Sequence, residues 1–168
     1  PHDIKVILLG GTGAGKTSFL RRFFEKEYLD SYQPTFGETF YVHPFTSPKN
    51  NNLYNLNFWD TCGQEKYRAI NMQYYRDSDV IIYVVDGSRE STLNDADFYL
   101  TDSIEKVSSK FRKILLVTKV DLFPVQNQNW NNDVFKSCNF YKDIIALKEK
   151  YAIDEVQWIS AKTNPKSV

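Results

Sequence analysis

Residues 10–17 read Gly-Gly-Thr-Gly-Ala-Gly-Lys-Thr and follow the apolar run Ile4–Leu9 directly. This G-x-x-x-x-G-K-[ST] pattern after a strand is a phosphate-binding loop. Its glycines let backbone N–H groups converge as an anion nest, and a following helix adds its positive N-terminal end. The cradle comprises Gly11, Thr12, Gly13, Ala14, Gly15, Lys16, Thr17 and Ser18. Lys16 is placed to bridge β- and γ-phosphates, and the Thr17 hydroxyl to ligate Mg²⁺.

Three further segments carry chemistry. Trp59-Asp60-Thr61-Cys62-Gly63-Gln64-Glu65 follows another strand. A strand-end aspartate beside such a loop is the usual partner of Mg²⁺, which assigns Asp60 to the metal. Gly63, without a Cβ, can bring its N–H close to a γ-phosphate. Gln64 can orient a water without being a strong base. Thr118-Lys119-Val120-Asp121 also ends a strand. A carboxylate at Asp121 can accept the ring N–H and the exocyclic amine of guanine. Adenine presents an acceptor there and would leave it unpaired. The stem of Lys119 would cover one face of the base. Ser160-Ala161-Lys162 follows the last apolar run and can offer a backbone N–H to the guanine carbonyl.

The elements that position these residues follow from periodicity. Apolar runs alternate with helical patterns, which predicts an α/β fold on a largely parallel sheet. Strands are expected at Ile4–Leu9, Phe40–Phe45, Leu53–Trp59, Val80–Val85, Ile114–Val117 and Val156–Ile159. Tyr54, Leu56 and Phe58 alternate with Asn55 and Asn57, the pattern of an edge hairpin. Helices are expected at Lys16–Phe24, through Leu93–Val107, and through Phe140–Tyr151. Ser47–Asn52 reads as a turn and Gln126–Asp133 as an Asn/Gln-rich loop.

Composition bounds the rest. The 168 residues suit one domain, spanning 1–168, and the apolar fraction of 42% is that of a globular protein. Twenty-one basic residues balance twenty-one acidic ones, so no global field draws nucleic acid or acidic lipid. Lys106, Lys110, Arg112 and Lys113 read as a solvated helix end. Two cysteines, Cys62 and Cys138, make neither a disulfide framework nor a zinc pattern, which fits a reducing compartment.

With these motifs in order, the chain resembles a Ras-superfamily small GTPase. The segments Thr35-Phe36-Gly37-Glu38-Thr39-Phe40, Trp59 through Tyr67 and Tyr74-Tyr75-Arg76 are most similar to the Rab branch. The resemblance runs from about Ile4 to Lys162. It implies a six-stranded, mostly parallel sheet with one antiparallel edge strand and helices on both faces. It implies GTP/GDP and Mg²⁺ as ligands, with metal contacts from Thr17, Thr35 and Asp60. Gln64, Lys16 and Thr35 would be the catalytic residues. Tyr28 would pack on the guanine and Tyr32 would lid the phosphates. Slow hydrolysis would switch two loops that bind effectors through residues 35–45 and 60–76. An activating protein and an exchange factor would regulate the cycle, because no arginine in cis is evident in the sequence.

Departures from the family pattern are equally legible. Cys62 stands where alanine is usual, Thr118 where asparagine is, and Thr12 where Rab proteins often carry serine. An insertion is expected on the surface around Gln126–Cys138. The sequence runs eight residues beyond Ser160, where the family has a long final helix. That helix, and with it any prenylation site, is expected to be missing from a chain truncated at its C-terminus. Membrane contact would then be indirect, with a cytoplasmic location at the cytosolic face of endomembranes in vesicle traffic. A module that holds nucleotide but barely cycles, as one domain of a larger or tandem protein, is the alternative. A P-loop kinase or ATPase is disfavoured by Asp121.

Overall fold

Short continuous runs of Val, Ile and Leu are the pattern of strands buried on both faces between helices. In the computed structural model, which describes residues 2–24, 39–60, 75–107, 109–122, 136 and 138–163, six such strands form one sheet. They are β1 (His2–Leu9), β2 (Thr39–Thr46), β3 (Leu53–Asp60), β4 (Val80–Asp86), β5 (Arg112–Thr118) and β6 (Glu155–Trp158). The spatial order is β2-β3-β1-β4-β5-β6. Every pairing is parallel except β2 with β3, which makes β2 the antiparallel edge. The expected sheet is therefore found. The alternating strand β3 lies one place inside the edge, covered by β2 in a register that pairs Phe40 with Trp59 and Pro44 with Asn55.

Strand alternation divides the core into two layers. On one face, Ile7, Leu9, Ile81, Tyr83, Val85, Leu115 and Val117 pack with helices α2 (Ser91–Lys106) and α3 (Asn139–Lys150). On the other, Val6, Leu8, Phe58, Ile82, Val84 and Leu116 pack with Leu20 of α1 (Lys16–Phe24). Phe19, Phe23 and Phe24 of α1 extend that second layer, with Phe23 and Phe24 reaching over Phe58 and His43. Helices thus lie on both faces.

Element ends follow local chemistry. Helix α3 starts at Cys138, whose sulfur accepts the Tyr141 N–H at 3.4 Å. Tyr151 caps its C-terminus and Ala152 follows with a positive φ of 48°, which turns the chain toward β6. Side-chain ties then dock α3 against α2. Asp97 accepts the Lys150 ammonium at 2.8 Å and the Tyr151 hydroxyl at 2.6 Å. The basic residues expected as a solvated helix end are partly engaged. Lys106 pairs with Asp102, and Arg112 with Asp154 at 3.2 Å.

Candidate nucleotide site

The carboxyl ends of β1, β3, β4 and β5, with the segment after β6, gather at one edge of the sheet. In open α/β sheets this edge is where ligands bind. The loop after β1 runs from Gly10 to Gly15 before α1 begins at Lys16. Two of its residues take left-handed backbone, Gly13 at φ 72° and Gly15 at φ 107°. Gly15 has no alternative. A Cβ there would also sit 3.0 Å from the Thr118 hydroxyl. At Gly11 a Cβ would fall 2.2 Å from a carboxylate oxygen of Asp95 on α2, so that side chain lies close against the loop.

Lys16 is buried, and its ammonium donates to the carbonyls of Gly10 at 2.7 Å and Gly11 at 3.3 Å. This holds the cation inside the cradle. Thr17 Oγ1 donates to Asp60 Oδ2 at 2.7 Å. Asp60 is fully buried, and its Oδ1 has no hydrogen-bond partner among the described residues. Burial pushes its pKa up, against the hydrogen bond from Thr17 and the charges of Lys16 and Arg21. A buried carboxylate oxygen without a partner costs about 1–3 kcal/mol or more. A divalent cation would relieve that cost, so the donor set of a carboxylate and a hydroxyl oxygen fits Mg²⁺.

The segment 118–121, assigned from the sequence to the base, adjoins the cradle. Thr118 Oγ1 reaches the carbonyls of Ala14 and Val85, which fastens the end of β5 to the phosphate loop. Lys119, at a positive φ of 58°, donates to the Gly13 carbonyl at 2.9 Å. Asp121 accepts the Ser160 hydroxyl at 2.6 Å, and Ser160 Oγ in turn accepts the Thr163 N–H at 3.0 Å. A cavity of about 250 Å³ opens here, lined by Gly15, Phe19, Lys119, Asp121, Ala161 and Lys162 among others.

The structure thus brings together the residues assigned from the sequence at Gly11–Ser18, Asp60, Thr118, Lys119, Asp121 and Ser160–Lys162. Tyr28, Tyr32, Thr35, Cys62, Gly63 and Gln64 lie outside the described residues, as does the insertion apart from Lys136 and Cys138. Of the expected effector surface, Phe40 and Val42 are about half exposed, at 49% and 48%. Tyr75 departs from that expectation. It is completely buried in the α2 layer, where desolvation drives its hydroxyl pKa upward, so it is not part of an exposed surface.

Two residues escaped sequence reasoning. Asp86 closes β4, is fully buried, and receives Ser88, Arg89 and Lys119. Arg89 extends from it to the Thr12 carbonyl at 3.0 Å. The available signal was an aspartate immediately after a fully apolar strand, at the same sheet edge as Asp60 and Thr118.

Residues 5–160 match the Ras family. The chain is 37% identical over 122 residues to Ras-related protein Rab-7B of Dictyostelium discoideum, covering 70% of this chain and 58% of that protein. It is 36% identical over 118 residues to GTP-binding protein YPTM2 of Zea mays, covering 70% and 57%. With Ras-related protein RABD2a of Arabidopsis thaliana the identity is 35% over 118 residues, covering 70% and 57%. An α/β sheet with a phosphate loop at its carboxyl edge defines a P-loop nucleotide-binding domain. This chain belongs to the Ras family and stands close to its Rab members. It spans a little over half the length of the curated relatives it matches.

Proposed function

We propose that the protein is a Mg²⁺-dependent guanine-nucleotide switch that hydrolyses GTP slowly and acts in membrane traffic. The observation that carries this reading is the position of Asp121. Asp121 lines the 250 Å³ cavity together with Gly15 of the phosphate loop and Ser18 and Phe19 of α1. A base read by Asp121 would leave its phosphates over Gly13–Thr17. Guanine offers that carboxylate two donors, whereas adenine offers an acceptor at the ring position.

Thr17 and Asp60 would hold Mg²⁺, joined by Thr35. The ion would neutralise charge on the β- and γ-phosphates. Lys16 supplies a cation to the same oxygens, and the loop amides supply fixed donors that need no reorganisation as charge develops. Gln64 would orient the water, with Gly63 against the γ-phosphate. Catalysis by positioning alone gives a turnover on the order of 10⁻⁴ s⁻¹. An activating protein would accelerate it, an exchange factor would reload the site, and release of the γ-phosphate would free the loops that bind effectors through residues 35–45 and 60–76. The Rab relatives support a place at the cytosolic face of endomembranes. No helix among the described residues is long and apolar enough to cross a membrane.

The test is the nucleotide released when the purified protein is denatured, separated by chromatography. One equivalent of GDP is expected. Retained GTP would replace the cycling switch with a module that binds and barely turns over. Bound adenine nucleotide, with no preference for added guanine nucleotide, would overturn the reading.

A further inference from the structure

Asp86 is a hub behind the phosphate loop. Its Oδ1 accepts the Ser88 N–H at 2.9 Å and the Ser88 hydroxyl at 2.5 Å. Its Oδ2 accepts Lys119 Nζ at 2.6 Å and Arg89 Nε at 2.9 Å. Both cations continue to the loop. Lys119 Nζ reaches the carbonyl of Gly13 at 2.9 Å, and Arg89 Nη2 that of Thr12 at 3.0 Å. The Arg89 N–H also donates to the Asp86 carbonyl at 3.0 Å, so the residue is fixed at both ends.

A guanidinium is a rigid planar fork. Once Nε rests on Asp86, the direction of Nη2 is set. The described peptide bonds are all trans. In a trans unit the carbonyl of Thr12 and the N–H of Gly13 point to opposite sides. A carbonyl held toward Arg89 therefore turns the next N–H the other way. Gly13 at φ 72° is free of the steric barrier that would oppose either orientation, so something else must choose between them.

We propose that Arg89, clamped by Asp86, is a positioning residue that aims the Gly13 N–H into the phosphate cradle. The inference rests on the reading of this loop as a phosphate site and deepens it. Without the clamp the Thr12–Gly13 peptide can rotate and present its carbonyl to the phosphates, exchanging a donor for a repelling dipole. The bond to Thr12 also connects the start of α2 to the loop, so the cradle is braced from β4 as well as from β5.

The experiment compares wild type with Arg89→Met and Arg89→Lys. Its probe is inorganic pyrophosphate, which has no base, added to protein stripped of nucleotide. The Gly13 amide resonance is expected to move on titration in wild type and only weakly in Arg89→Met. Arg89→Lys, which keeps the charge and loses the fork, should fall between them. In GTP-loaded protein the single-turnover hydrolysis rate should drop about tenfold in Arg89→Met. Identical Gly13 responses in all three proteins would overturn the clamp, whatever nucleotide the wild type carries. If Arg89→Met does not fold, Arg89→Gln takes its place. Failure of the wild type to hold guanine nucleotide would count against the functional reading, while the Gly13 response would still decide the clamp.

Discussion

Asp60, proposed to hold Mg²⁺, illustrates how a residue that is costly for folding can be kept for binding. Its buried Oδ1 lacks a partner among the described residues and burial raises its pKa, so the ionised side chain weakens the metal-free fold. Asp60→Asn removes the charge while keeping an oxygen for Thr17. The metal-free variant should melt a few degrees higher than wild type by calorimetry, and Mg²⁺ should no longer tighten its hold on GDP. A lower melting temperature would show that Asp60 already has its partner. Asp121 is proposed to carry the complementary selectivity for the base. Replacing it with alanine should cut the preference for GDP over ADP by about 100-fold in competition binding. An unchanged ratio would move base recognition elsewhere.

At the scale of elements, the phosphate loop is held by its neighbours more than by itself. Thr118 from the end of β5, Asp95 from α2 and Arg89 before α2 all meet it, while α1 supplies the helix start. Helix α3 belongs to the support. Its Ile144 is fully buried in the layer shared with Leu115 and Val117 of β5. Ile144→Ala should cost about 2–5 kcal/mol in urea unfolding. A loss under 1 kcal/mol would mean that α3 packs too loosely to brace that strand. Much of this was legible in the sequence. Strand interiors such as Val80–Val85 announce themselves because both faces are buried. The nucleotide motifs follow strand ends because the chain must present them at the sheet edge. The role of Arg89 was not legible, because its partners Asp86 and Thr12 are separated by more than seventy positions in the chain and joined only by the parallel pairing of β1 with β4. The burial of Tyr75 was hidden for a related reason. The resemblance placed it with the effector surface of residues 60–76, and its burial emerges only once the strands around it are assembled.

For the whole molecule, acid stability follows from which carboxylates are paired. Burial raises the pKa of Asp86, but hydrogen bonds from Lys119 and Ser88 outweigh it and leave the net value lowered. Asp97 is lowered by hydrogen bonds from Lys150 and Tyr151. Groups depressed in the folded state add stability above the unfolded value, about 3.9, and lose it as the pH falls through the folded one. Asp60 has the opposite sign. The unfolding free energy of metal-free protein should therefore hold or rise slightly from neutral toward mild acid, then fall steeply below about pH 4. Stability that keeps rising as the pH falls through about 4, with no loss, would mean that the buried Asp86 hub is not ionised in the native state.

The antiparallel strand β2 closes one side of the sheet, with Phe40, Val42 and Phe45 facing outward and Pro44 among them. An apolar border of this kind invites a stray strand from another molecule to dock, which is the first step of aggregation. Proline offers no N–H to such an intruder and interrupts the row of donors that a continuous ladder requires. The rim can thus stay greasy enough for selective recognition while remaining a poor template for its own copies.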